Sequence, residues 1–164
     1  MTKFDQLDQV ILKLLNQNGR MPSAQIARQL GESARTVQNR IQKLIDLNAV
    51  QFVGVPNPAA FGYSLAVDIY CELEVGYQEQ AILALLNMPH ITYVALSTGD
   101  QDITLQALFK DSADMQDFIT NQLHQVPGMR RTRTVLIPRI LKDSYHWLPM
   151  DSDFDQAVAT PPEA

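Results

Sequence analysis

One cysteine, Cys71, stands among the 164 residues. A lone thiol closes no internal disulfide and excludes a metal cluster built on thiolates. No apolar run approaches the roughly 20 residues that span a bilayer, so no membrane partner is expected. The opening Met1-Thr-Lys-Phe-Asp-Gln-Leu-Asp has none of the apolar stretch of a signal peptide. Signs of catalysis are sparse too. His90, His124 and His146 are scattered without metal-ligand spacing. No Gly-rich phosphate loop, Ser/His/Asp set or carboxylate pair stands out. The expectation is a cytoplasmic, non-enzymatic protein with no cofactor and no metal.

What is present is a chain of 46% hydrophobic and 19% charged residues, able to bury a core. Its net charge of −5 is unevenly spread. Residues 1–50 carry seven Lys/Arg against four acids, a net of +3, and the remainder carries a net of −8. A basic head on an acidic body suits a DNA-reading module joined to something else.

Within the head, Phe4, Leu7, Val10, Ile11, Leu14 and Leu15 recur at helical spacing. Asn18-Gly19 ends that helix, since both residues tolerate the left-handed conformation. Pro22-Ser23 opens a second helix with Ile26, Ala27 and Leu30 inward, and Gly31 breaks it. Ser33 suits the N-cap of a third, whose buried stripe is Val37, Ile41, Leu44 and Ile45. Two short helices around a Gly-containing turn form a helix-turn-helix pattern. The outer face of the third helix carries Arg35, Thr36, Gln38, Asn39, Arg40, Gln42 and Lys43 without an acid among them. Arg, Gln and Asn read base edges in the major groove, while Thr36 and Lys43 suit phosphates. With Ser23 and Ser33 at the helix openings, Arg35, Thr36, Gln38, Asn39, Arg40 and Lys43 form the candidate set for double-stranded DNA.

Pro56-Asn57-Pro58 cannot continue a helix or sit inside a sheet ladder, so residues 51–61 read as an extended linker. Beyond Gly62 the period becomes two, with Leu65, Val67, Ile69, Cys71 and Leu73 alternating with polar or small residues. A helix follows over 77–88, with Ala81, Ile82, Leu85 and Leu86 on one side. Strands at 91–97 and 103–109 flank a turn at 98–102. A second helix with Met115, Phe118, Ile119, Gln122, Leu123 and Val126 along one stripe precedes Pro127-Gly128 and a last strand over 129–141. The order βαββαβ is that of a ferredoxin-like α+β domain, with both helices on one face of an antiparallel sheet. Tyr70, Leu108 and one parity of Val135-Leu136-Ile137 fall on or near the uncovered face, which suits pairing of two copies. The chain therefore divides into a head over 1–50, a linker over 51–61, a second domain over 62–142 and an acidic tail over 143–164. Disorder is expected from 151 onward, whereas Tyr145, His146 and Trp147 suit packing back on the body.

Leu7-Asp8, Ile11-Leu12, Leu15 and Gly19-Arg20 begin a more specific pattern. Ile26-Ala27, Leu30-Gly31, Ser33, Thr36-Val37, Arg40-Ile41 and Leu44 continue it. Gly62-Tyr63, Thr98-Gly99-Asp100-Gln101-Asp102, Pro127-Gly128-Met129 and Thr132-Arg133-Thr134 complete it. In this order the chain resembles the Lrp/AsnC regulators from about Phe4 to Lys142. The resemblance implies a winged helix-turn-helix, a hinge strand and a ferredoxin-like regulatory domain that dimerises or assembles further. It also implies an amino acid or related effector near the Gly-Asp-x-Asp turn, at Thr98, Gly99, Asp100 and Asp102 with Thr132 and Thr134 nearby. Gln101 stands where an aromatic residue is common, and Asn48 where a glycine commonly follows the third helix. The 99–102 turn also suits a ligand-free hairpin using Gly and Asp for geometry alone. Alternatives are a sensor of this fold without DNA affinity and an enzyme resembling the sirohaem decarboxylases, although the stretch from Tyr93 to Leu105 holds no histidine.

Overall fold

The computed structural model describes residues 4–142, 145 and 147–154. It divides into two compact units, residues 1–54 with 141–164 and residues 55–140.

In the first unit, α1 (Gln6–Gln17) starts from a reciprocal cap. The Asp5 carboxylate accepts from the Asp8 amide at 3.0 Å, and the Asp8 carboxylate accepts from the Asp5 amide at 3.2 Å. The helix stops at Asn18 as expected, but with Asn18 extended (φ −150°) rather than left-handed. Helix α2 (Ser23–Leu30) closes on Gly31 at φ +69°. Helix α3 (Ala34–Asp46) starts from Ser33, whose hydroxyl accepts from the Thr36 amide at 3.0 Å. After α3, Asn48 takes φ +53°, and the Ala49 amide reaches back to the Leu44 carbonyl at 2.8 Å. That is the left-handed helix end expected at this position.

The buried cluster of this unit is Ile11, Leu12, Leu15, Ile26, Ala27, Val37, Leu44 and Phe154. Three side chains depart from the expected stripes. Asp8 and Leu12 are buried, and Ile45 is exposed. Residues 51–57 carry no helix or strand, so the hinge strand and wing implied by the resemblance do not form as a paired strand within this chain. The expectation of disorder from 151 is corrected for Asp151–Phe154. Asp151–Asp153 makes a 3-10 turn, and Phe154 is only 6% exposed. Residues 155–164, and His146, lie outside the described residues.

The second unit opens with a 3-10 turn at Pro58–Phe61. There follow β1 (Leu65–Leu73), α4 (Gln78–Leu86), β2 (Ile91–Leu96), β3 (Ile103–Phe109), α5 (Ser112–Asn121) and β4 (Met129–Ile137). The last strand stops short of the expected Leu141, one residue before Pro138, which cannot donate to a ladder. The sheet is antiparallel in the order β2-β3-β1-β4. Val67, Ile69 and Cys71 pack with Ala81 and Leu85 of α4, with Phe118 of α5, and with Leu123 and Val126. Leu86 points outward instead of joining them. Gly128 turns the chain into β4 at φ +74°, where an added Cβ would lie 2.1 Å from the Tyr77 Cβ.

The other sheet face follows from the register. Ala66 lies between Leu108 and Ile137, Asp68 between Gln106 and Val135, and Tyr70 between Thr104 and Arg133. Directly paired residues share a face. One end of that face is therefore apolar and the other carries charge.

Candidate functional site

Helix α3 sorts its polar side chains into two sets. Arg35, Gln38 and Asn39 are exposed, and half-buried Thr36 holds its hydroxyl 2.8 Å from that of the Ser33 cap. Arg40 and Lys43 are turned away from this row toward α1. Arg40 Nη1 lies 2.6 Å from Asp5 and 3.4 Å from Asp8, and Lys43 Nζ lies 2.9 Å from Asp8. Lys43 also sits 5.6 Å from the centre of the Phe4 ring. The Asp8 side chain is 0% exposed, and a carboxylate so placed must be paired to remain charged. Within the expected DNA-facing set, Arg40 and Lys43 are thus engaged in the α1–α3 contact. Gln42 donates to Asp46 at 2.8 Å, so an acid closes the row at its end. Ser23 is half-buried in the first turn of α2 and makes no side-chain cap there.

Burial raises the Asp5 carboxyl, but the Asp8 amide and the Arg40 guanidinium outweigh it and hold it below its ordinary value. Burial likewise lowers Arg40, and Asp5 and Asp8 reverse the direction and hold it above its ordinary value. Both charged forms belong to the folded head.

The second cluster is the turn between β2 and β3. Gly99 takes φ +124°, open to glycine and strained for other residues. The Ser97 amide donates to the Asp102 carbonyl at 2.9 Å. The Asp102 amide donates to Cys71 at 2.9 Å, and its carboxylate accepts from the Leu73 amide at 2.7 Å. Asp102 thus staples the turn to the end of β1. Asp100 and Gln101 line a shallow hollow of about 190 Å³ with Tyr70, Glu72, Arg131, Thr132 and Arg133.

Of the six expected effector residues, Asp100 and Thr132 line this hollow, while Thr98, Gly99, Asp102 and Thr134 do not. Thr134 pairs with Ile69, whose side chain is buried beneath the helices, so its parity belongs to that face. The Thr132 hydroxyl lies 3.0 Å from His124 Nε2. Tyr70, Glu72, Arg131 and Arg133 were not expected here. They come together because Tyr70 pairs with Arg133 and Glu72 with Arg131, a register that residue types do not announce. The Arg133 guanidinium lies 4.7 Å from the Tyr70 ring centre. Glu72 accepts from Arg130 and lies 3.8 Å from Arg131.

Among the described residues no group of three His, Cys, Asp or Glu side chains could hold a metal ion. Burial pushes the Cys71 thiol up to about 12, which leaves it protonated and unreactive.

Residues 4–45 match the AsnC-type helix-turn-helix domain, and residues 67–147 match the Lrp/AsnC ligand binding domain. The chain belongs to the Lrp/AsnC family of transcriptional regulators. An uncharacterised HTH-type transcriptional regulator of Pyrococcus furiosus is 30% identical over 148 residues, which is 90% of this chain and 99% of that one. The HTH-type transcriptional regulator FL11 of Pyrococcus horikoshii is 27% identical over 142 residues, covering 86% and 93%. Among solved structures, a transcriptional regulator of Neisseria meningitidis in complex with L-Met superposes with a TM-score of 0.86 at 22% identity, covering 92% of this chain and 99% of that one. AsnC of E. coli superposes at 0.80, also at 22% identity, covering 87% and 98%. These structures share the fold of this regulator, a helix-turn-helix followed by an α+β domain with a four-stranded sheet.

The depressed Asp5 carboxyl sets a pH dependence. A carboxyl lowered by folding stabilises the head above its unfolded value, near 3.9, and that contribution disappears as pH falls through the folded value. The stability difference between the regulator and its Asp5→Asn variant is therefore expected to be level above about pH 5 and to shrink below about pH 4. Urea unfolding across that range checks it.

Proposed function

We propose that this Lrp/AsnC regulator acts as a dimer or a multiple of dimers on double-stranded DNA, reading base edges with Arg35, Gln38 and Asn39 and setting the helix with Ser33 and Thr36. The observation that carries the proposal is the exposed row of Arg35, Gln38 and Asn39 on α3, behind the Gly31 turn. Arg40 and Lys43 act on DNA indirectly, by holding α3 against α1. Ser23, at the start of α2, lies where a hydroxyl can meet a phosphate. A dimer would place two such helices in successive major grooves, about 34 Å apart. The uncovered sheet face, with Tyr93 and Val135 exposed on it, supports pairing of two copies. The chain acts as a regulator rather than an enzyme, as its relatives' names indicate, and it works in the cytoplasm.

The effector is an amino acid or a related small metabolite held by the 98–102 turn. The L-Met complex of the Neisseria structure supports that class. So does the hollow itself, which brings Asp100, an acceptor suited to an α-ammonium, together with Arg131 and Arg133, donors suited to a carboxylate. Thr132 stands at its rim. Thr98, Gly99 and Asp102 shape the turn, and Thr134 steadies β4 from the other face. Such a ligand regulates only by binding two states of the protein unequally.

Replacing Arg35 or Gln38 by Ala is expected to cost roughly 1–3 kcal/mol of discrimination between a selected site and a single-base variant. Fluorescence anisotropy on the two duplexes measures it, and unchanged discrimination in both variants would refute base reading by this row. For the effector, at least one of the twenty amino acids should raise the unfolding temperature, and Asp100→Ala should abolish the shift. No response to any of them removes the amino-acid proposal.

A further inference from the structure

Neither the helix-turn-helix nor the sheet accounts for the C-terminal segment. Its described part, Tyr145 and Trp147–Phe154, belongs to the same compact unit as the head. It follows one stripe of α1. Gln9, Lys13 and Asn16 are four and three residues apart, so their side chains leave the helix on the same side. The Gln9 amide donates to Asp151 Oδ1 at 2.5 Å, and the Lys13 ammonium lies 3.0 Å from the same oxygen. Asn16 Nδ2 donates to the Tyr145 carbonyl at 3.2 Å and to the Trp147 carbonyl at 3.4 Å. The segment thus runs antiparallel to α1. The Met150 amide donates to the Asp153 carboxylate at 2.9 Å, closing the turn that delivers Phe154. Phe154 is buried with Ile11, Leu12 and Leu15, and Leu148 packs against the same cluster.

We propose that Tyr145 and residues 147–154 are a strap that completes the DNA-reading head. The head core is built from two stretches of chain far apart in sequence. Helix α1 is the common support. It takes the strap on Gln9, Lys13 and Asn16, and it holds α3 through Asp8. Loosening the strap loosens the platform on which the recognition helix sits. The consequence for DNA rests on the function proposed above, whereas the strap itself does not.

Hydrogen exchange on the full chain, on Phe154→Ala, on Phe154→Leu and on a chain stopped after Trp147 tests the proposal. The α1 amides are expected to exchange at least tenfold faster in Phe154→Ala and in the stopped chain, with β1 and β3 amides within twofold of their original rates. Phe154→Leu should recover most of the protection. The stopped chain should also bind a genomic fragment selected by the full chain at least fivefold more weakly. Unchanged α1 protection in the stopped chain overturns the strap. Equal loss in α1, β1 and β3 also overturns it, since the segment would then support the whole molecule rather than the head. Lost α1 protection with unchanged DNA affinity overturns its role in DNA reading. If the full chain selects no fragment, DNA reading fails, and exchange still decides the strap.

Discussion

A single buried carboxylate organises the DNA-reading head. Asp8 lies on the inner face of α1 and accepts from Arg40 and Lys43 of α3. Removing one partner of such a cluster strands charge in a poorly solvated place, which costs more than the pairing itself contributes. The clamp explains why two of the cations on α3 do not face outward. Together with Val37 and Leu44, which α3 buries in the core, it holds α3 in the rotation that presents Arg35, Gln38 and Asn39 as the exposed row. The Gly31 turn and the Ser33 cap fix where α3 begins, and the clamp fixes how it is turned.

Local chemistry made much of the fold legible. Gly31 ends α2 in the left-handed conformation, Ser33 caps α3, and Asn48 accepts the conformation usually given to glycine. The alternation from Leu65 to Leu73 marks β1 because one sheet face is covered and the other is not. Features set by contacts distant in sequence were harder to read. Asp8, Ile11, Leu12 and Leu15 form the true inner stripe of α1 at helical spacing. A carboxylate inside an apolar stripe was the available sign that cations elsewhere must reach it. In α4 the six residues from Ala81 to Leu86 are all apolar, so periodicity could not tell inward Leu85 from outward Leu86. Phe154 gave no sign at all, standing in an acidic tail whose composition suggested disorder.

The proposed effector site was legible as a turn and not as a surface. Gly99 and the acids around it mark a tight connection, and Asp102 is spent on holding that connection to β1. The side chains that give the hollow its charge, Glu72, Arg131 and Arg133, arrive through strand register. Turn and hollow share Asp100 and Gln101. A ligand seated there would touch both the turn and β4, the strand from which the chain passes on toward the strap.

On the function proposed above, the row on α3 reads sequence and not merely phosphate charge. Competition between a genomic fragment selected by the protein and an unrelated duplex, followed as salt is raised, tests it most directly. Both affinities are expected to fall with salt as counterions are released, while the selected fragment stays favoured by about a thousandfold or more. Equal affinity for the two duplexes at every salt concentration would contradict it.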